Sequence, residues 1–264
     1  MPIVLWFNDL PLWQAGLLLI GGALLISLVG TAFTRTFFPE RQLSLNNVVG
    51  GFQYMFLSNV YAGFIGFLLF GVYDRYDQVR LDMVSEVSAL TSLHRLAATF
   101  PEGTRAQIRT GLHDYARGVV EVDWPQMRAR QGNPSTTATL DDLEYLYGAL
   151  EVTSKKQREV VKLSHELITE IRNDRGVRMF RSGGSLPSLL WAIALLAMAA
   201  SIVFPWVFGA PNVNADVLMS TLTIVVMTSI VLVVLKLTFP FGGSAGIAPA
   251  PFTAFLSEFP SGGG

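Results

Sequence analysis

Apolar positions along the chain fall into four long blocks, and polar ones gather in a single stretch between the second block and the third. The blocks run over 10–33 (LPLWQAGLLLIGGALLISLVGTAF), 48–73, 186–208 (LPSLLWAIALLAMAASIVFPWVF) and 216–239 (DVLMSTLTIVVMTSIVLVVLKLTF). At about 1.5 Å of rise per residue, each is long enough as a helix to cross a ~30 Å hydrocarbon layer. No block has an ionisable residue in its central part; Asp216 and Lys236 stand at the ends of the last. Trp6, Trp13, Trp191 and Trp206 lie near block ends, where aromatic belts form. Pro205 is expected to distort the last turn of the third block. The pattern predicts an all-α membrane protein with four transmembrane helices, two plus two, around a helical insert.

The insert, 74–184, reads as helical throughout. Val79, Met83, Val87, Leu90, His94 and Ala97 recur at helical spacing, so 74–100 forms a helix with one apolar-leaning face. No turn signal lies between Phe70 and Asp77, so this helix is expected to continue the second span, and Pro101 ends it. A second helix is predicted over about 103–123, with a bend at Asp123-Trp124-Pro125. QGNPSTTAT reads as a loop, and one long helix is predicted from about 140 to 180. The expected organisation is 1–73 with spans one and two, 74–184 as a cytoplasmic domain, 185–240 with spans three and four, and 241–264 as a Gly/Pro-rich tail.

Charge sharpens this picture. Of 264 residues, 51% are apolar and 15% charged, against roughly 25% charged in a soluble domain; mean hydropathy is +0.43. Residues 74–184 hold 16 of the 19 Lys/Arg and 16 of the 20 Asp/Glu. Net charge is −1, which gives no basic field for nucleic acid. The absence of cysteine removes disulfides, thiolate catalysis and thiolate-bound metals. With no Lys or Arg before Arg35 and no small-residue cleavage signal, the first block is expected to be retained. Arg75 and Arg80 follow span two, and Arg172, Arg175, Arg178 and Arg181 precede span three. The positive-inside rule therefore places 74–184 and both termini in the cytoplasm, with Arg35 and Arg41 counting mildly against it. The expected location is a membrane crossed several times.

Enzymatic constellations are scarce. His94, His113 and His165 sit on separate predicted helices with no i, i+4 metal pair, so they are read as packing or surface residues, and no metal or cofactor is expected. There is no GxxxxGK[ST] or GxSxG motif, and GGFQYMF and SGGS lack the strand–turn–helix setting of a phosphate loop. Asp141-Asp142 is read as a helix cap and Glu86 as a solvated or inter-helix ion pair. Proton-coupled transport ordinarily needs an ionisable group inside the membrane, and no span interior offers one. Passive conduction, or a role without transport, remains; an enzyme is not expected.

Span two stands apart. In FQYMFLSNVYAGFIGFLLFGVYDRY, residues 52–76, Phe56, Val60 and Phe64 follow i, i+4, i+8 spacing. Asn59, Gly63 and Gly66 lie on an adjacent face, and Ser58, Ala62 and Gly66 form a small-xxx-small row. One reading is a packing helix with Asn59 bonded to a neighbour. The other is a pore helix whose bulky apolar face gates by dewetting, which requires a cyclic homo-oligomer.

YAGFIGFLLFGVYDRY, EVSALTSLHRLA, GLHDYARGVVEVDWPQM, LPSLLW and FPFGGSAGIAPAPF, in that order from about Asn46 to Phe252, resemble a bacterial bestrophin-like family and, more distantly, the bestrophin ion channels. The resemblance implies a pentameric channel for anions such as chloride, in which the second helix of each subunit lines an apolar neck. Matching Gly63-Phe64 to the Gly-Phe of that helix places the neck at Phe56, Val60 and Phe64, with a one-residue gap before Tyr76; without the gap it falls on Met55, Asn59 and Gly63. In calcium-activated bestrophins PFG leads into an acidic run. Here Pro240-Phe241-Gly242 leads into GSAGIAPAP, with no carboxylate before Glu258, so a calcium clasp is not expected. The implied partners are the lipid bilayer, inorganic ions and further copies of the chain. The alternative is a non-conducting membrane protein whose cytoplasmic helices bind a partner or sense the membrane.

Overall fold

The computed structural model describes residues 2–39, 43–45, 47–129, 136–184, 186–209 and 212–260, with side chains from residue 6 onward. Among the described residues ten α-helices carry the architecture: α1 (Pro2–Asp9), α2 (Leu12–Phe37), α3 (Asn47–Leu96), α4 (Glu102–Gly118), α5 (Trp124–Arg128), α6 (Thr137–Gly148), α7 (Lys155–Arg181), α8 (Ser188–Val203), α9 (Val213–Thr238) and α10 (Ala250–Glu258). No strand occurs among the described residues. The chain divides into two units. One comprises Met1–Arg75, Ser185–Phe239 and Gly243–Ala245; the other comprises Tyr76–Gly184, Pro240–Gly242 and Gly246–Gly264.

The first unit holds the four apolar segments, and each is long enough as a helix to cross a membrane. The predicted spans fall on α2, the first half of α3, α8 and α9. Helix α2 buries a row of small residues, Ala15, Gly16, Ala23, Ser27 and Gly30. Small side chains let backbones approach closely where no water drives association. Gly16 lies against Leu232 of α9, and Gly30 against the Trp206 indole. Tyr61, Ile65, Leu68 and Val72 of α3 meet Trp191 and Ala194 of α8 and Val231, Val234 and Leu235 of α9 in one apolar core. Pro205 acts as expected: α8 ends at Val203 and tightens into a 3₁₀ turn over Phe204–Val207.

Polar links fasten the ends of these helices. Arg35 pairs with Asp216 at 2.7 Å. The Asn47 carboxamide donates to the Gly209 carbonyl at 2.6 Å and accepts from the Gly209 N–H at 3.1 Å. Gly243 has φ +63°, and a Cβ there would run into the Asn8 carbonyl. Gly243→Ala is therefore expected to cost more than about 1 kcal/mol, read as a lowered melting temperature of the detergent-solubilised chain. Gly51→Ala, within α3 and with open space around it, serves as the control and is expected not to lower the melting temperature.

In the second unit, residues from Tyr76 onward of α3 pack with α4, α5, α6, α7 and α10 around Met83, Leu90, Leu93, Leu112, Tyr115, Trp124 and Phe252. Two expectations need correcting. The single helix predicted over 140–180 is two helices, because α6 ends at Gly148 and α7 restarts behind a capping box of Ser154 and Gln157. Asp141 does not cap: α6 begins at Thr137, so Asp141 sits in its second turn and binds Arg172 at 2.8 Å. Of the predicted loop, 131–135 lies outside the described residues and 137–139 belongs to α6. Within the Gly/Pro-rich tail, α10 buries Phe252 and Phe255.

Candidate functional site

Helix α3 is 50 residues long and continues without a break to Leu96, as the missing turn signal predicted. In its first half the residues with the largest buried share follow helical spacing at Tyr61, Ile65, Leu68 and Val72. The opposite side carries Phe52, Met55, Phe56, Asn59, Val60, Gly63, Gly66, Phe67 and Phe70, all exposed.

The six residues singled out from sequence do not share one environment. Phe56 is 71% exposed and Val60 54%, and Asn59, Gly63 and Gly66 are exposed beside them. Phe64 is half-buried and packs on the unit's own core. Helical drift explains the difference. At 3.6 residues per turn, each i, i+4 step rotates about 40°, so Phe64 lies about 80° round from Phe56 and toward the Ile65 side. Met55, Asn59 and Gly63, the other register, are all exposed. Sequence reading passed over Phe52, Phe67 and Phe70 as members of the exposed side; the phenylalanine count was visible, but their common face needed the position of the core.

The exposed side of α3 differs from those of α2 and α8 along their central turns. Helix α2 exposes Leu17, Leu18, Leu25, Ile26, Leu28 and Val29, and α8 exposes Leu189, Ile193, Leu195 and Leu196. Aliphatic surfaces of this sort suit lipid. Helix α3 instead exposes the carboxamides of Gln53 and Asn59 in its apolar stretch. A carboxamide facing hydrocarbon leaves its donors and acceptors unpaired at a cost of several kcal/mol per group.

The second unit centres on a buried ionic network. Glu86 of α3 and Arg178 of α7 are fully buried and joined by two bonds, Nε to Oε2 at 3.1 Å and Nη2 to Oε1 at 3.0 Å. The Tyr115 hydroxyl donates to Glu86 Oε1 at 2.6 Å. Burial, with the Glu86 charge beside it, pushes the Tyr115 hydroxyl well above its ordinary range, so it stays a donor. Burial works against the Arg178 charge, but Glu86, then Tyr115 and Asp123, outweigh it and hold the guanidinium above its usual range. The Arg178 guanidinium also lies over the rings of Trp124 (5.7 Å) and Phe252 (5.5 Å). Asp123, on a π-helical turn over Val119–Asp123, accepts from Thr136 at 2.8 Å and Arg175 at 3.2 Å. Glu86 thus forms an inter-helix ion pair, with no solvent in reach. The histidines stay apart: His94 packs on Phe259, His165 on Tyr147, and His113 is buried. Among the described residues no group of three or more His, Asp or Glu could hold a metal ion.

A membrane unit of four helices, one of them running on into a helical unit with a buried ionic core, defines the class of protein. The Bestrophin-like domain model matches residues 21–252, and the chain belongs to the bestrophin-like family. Among solved structures, a single-substitution variant of a bacterial bestrophin homologue from Klebsiella pneumoniae is 14% identical with a TM-score of 0.72, covering 91% of this chain and 97% of that one. A second variant of a homologue from the same organism gives 13% identity and 0.73, covering 92% and 97%. A structure described only as a membrane protein gives 13% and 0.74, again covering 92% and 97%. No curated protein matches the chain.

Proposed function

We propose that the chain assembles as a homopentamer into a passive ion channel of a bacterial inner membrane, with 74–184 and both termini cytoplasmic. The observation that carries this reading is the exposed side of α3, where Gln53 and Asn59 stand among phenylalanines and glycines. Carboxamides in that setting are accommodated by facing water or a second copy of the same helix. A ring of such helices meets both conditions, with Phe56, Val60 and Phe64 as the neck and small residues between neighbours. One subunit supplies one lining helix, so the pathway exists only in the assembly. The orientation rests on the six arginines flanking 74–184 against Arg35 and Arg41 on the other side.

An apolar neck sets no sign of selectivity by itself; chloride is the ion implied by the resemblance, and a reversal potential tests it. The chain has no cysteine, so single cysteines report wetting without background. Asn59→Cys is expected to react with a membrane-impermeant thiol reagent in the native membrane, and Leu25→Cys is expected not to. Equal reaction at both positions, or none at Asn59→Cys, would count against a wetted pathway along α3.

A further inference from the structure

The last turn of α9 carries a lysine into the membrane unit. Lys236 is 3% exposed, and its Nζ donates to the carbonyl oxygens of Leu10 at 2.7 Å, Asn8 at 2.8 Å and Phe7 at 3.2 Å. An ammonium has three donors, and all three are used. The acceptors are the carbonyls at and just beyond the C-terminus of α1, which have no partner within their own helix and lie at the negative end of its dipole. Asp9 adds a negative charge to the same corner. Gly243, on the chain leaving α9, closes against Asn8. A corner of converging backbone oxygens, a dipole end and a carboxylate is the chemistry of a cation site.

Such a corner raises the question of which cation fills it. The donor set here does not fit calcium, which takes six to eight oxygens at about 2.3–2.6 Å, several of them carboxylate. The segment after Pro240-Phe241-Gly242 supplies no carboxylate before Glu258. The three carbonyls at the α1 terminus are already turned onto the lysine.

We infer that Lys236 is a tethered cation: its ammonium fills the carbonyl cradle at the end of α1 and joins α1 to α9 without an exchangeable metal. A lysine buried in the membrane unit is costly and is ordinarily kept only where carbonyls or a counter-charge satisfy it. Removing the side chain while leaving the cradle creates a vacancy for a small alkylammonium ion. This inference stands whether or not the protein conducts.

The test is thermal melting of the detergent-solubilised full chain. The wild type is expected to melt at the same temperature in calcium and in chelator. Lys236→Met, of similar length and uncharged, is expected to melt several degrees lower. Lys236→Ala is expected to recover part of its loss in ethylammonium but not in tetraethylammonium, which is too large for the cradle. A wild type stabilised by calcium would overturn the inference, as would a Lys236→Met chain melting with the wild type. If neither substituted chain folds, the calcium comparison on the wild type decides alone.

Discussion

Glu86→Ala is expected to destabilise the protein by about 3–5 kcal/mol, the cost of stranding a buried charge. The substitution leaves the Arg178 guanidinium fully buried with Asp123 at 3.7 Å as its nearest remaining carboxylate. It also takes the acceptor from the Tyr115 hydroxyl, which is equally buried. Arg178→Met is expected to cost a similar amount by stranding Glu86. Combining Glu86→Leu with Arg178→Met is expected to recover most of the loss, because well-packed apolar groups commonly replace a buried pair at little cost. Thermal melting of the wild type, Glu86→Leu, Arg178→Met and the double variant checks this. Additive losses in the double variant would mean that the pair contributes through something other than mutual charge compensation.

Phe56→Ala is expected to raise single-channel conductance about tenfold, because lowering a constriction barrier by only about 1.4 kcal/mol multiplies flux by that factor. A neck that excludes water depends on bulky apolar rings, and one substitution removes a phenyl from every subunit at once. Phe56 is the cleaner site because it is exposed within its own subunit, so its removal opens no cavity. Phe64→Ala is expected to raise conductance too, but with some loss of stability, since Phe64 packs on the core of its unit. The alternative register predicts a different ranking: Met55→Ala and Asn59→Leu would change the current while Phe56→Ala left it unaltered. Single-channel recording on these variants separates the two registers.

The spans were legible because apolar runs of this length have one outcome in a membrane. The continuation of α3 beyond span two was legible because no glycine or proline interrupts Val72 to Leu96. The break between α6 and α7 was missed, although Gly148 and the Ser154–Gln157 capping box mark it; the helical periodicity on both sides outweighed a six-residue gap. Helix α10 was hidden by the Gly/Pro composition of its surroundings, and only packing against Trp124 shows what Phe252 does.

The candidate site was legible by residue type and not by face. Glycines, carboxamides and phenylalanines marked α3 as unlike an anchor, yet spacing alone could not say which residues turn inward. The drift that carries Phe64 toward Ile65 depends on where α8 and α9 lie. Lys236 gave little signal for a similar reason: at a span end it reads as snorkelling to the interface, and its three carbonyl partners are more than two hundred residues away in sequence.

The most direct test is current across a planar bilayer containing the purified wild-type protein under a KCl gradient. A steady current with a reversible, gradient-dependent zero-current potential is the predicted result, and the sign of that potential identifies the favoured ion. Silence from wild type and Phe56→Ala alike, with insertion and oligomeric assembly verified, would contradict the channel reading.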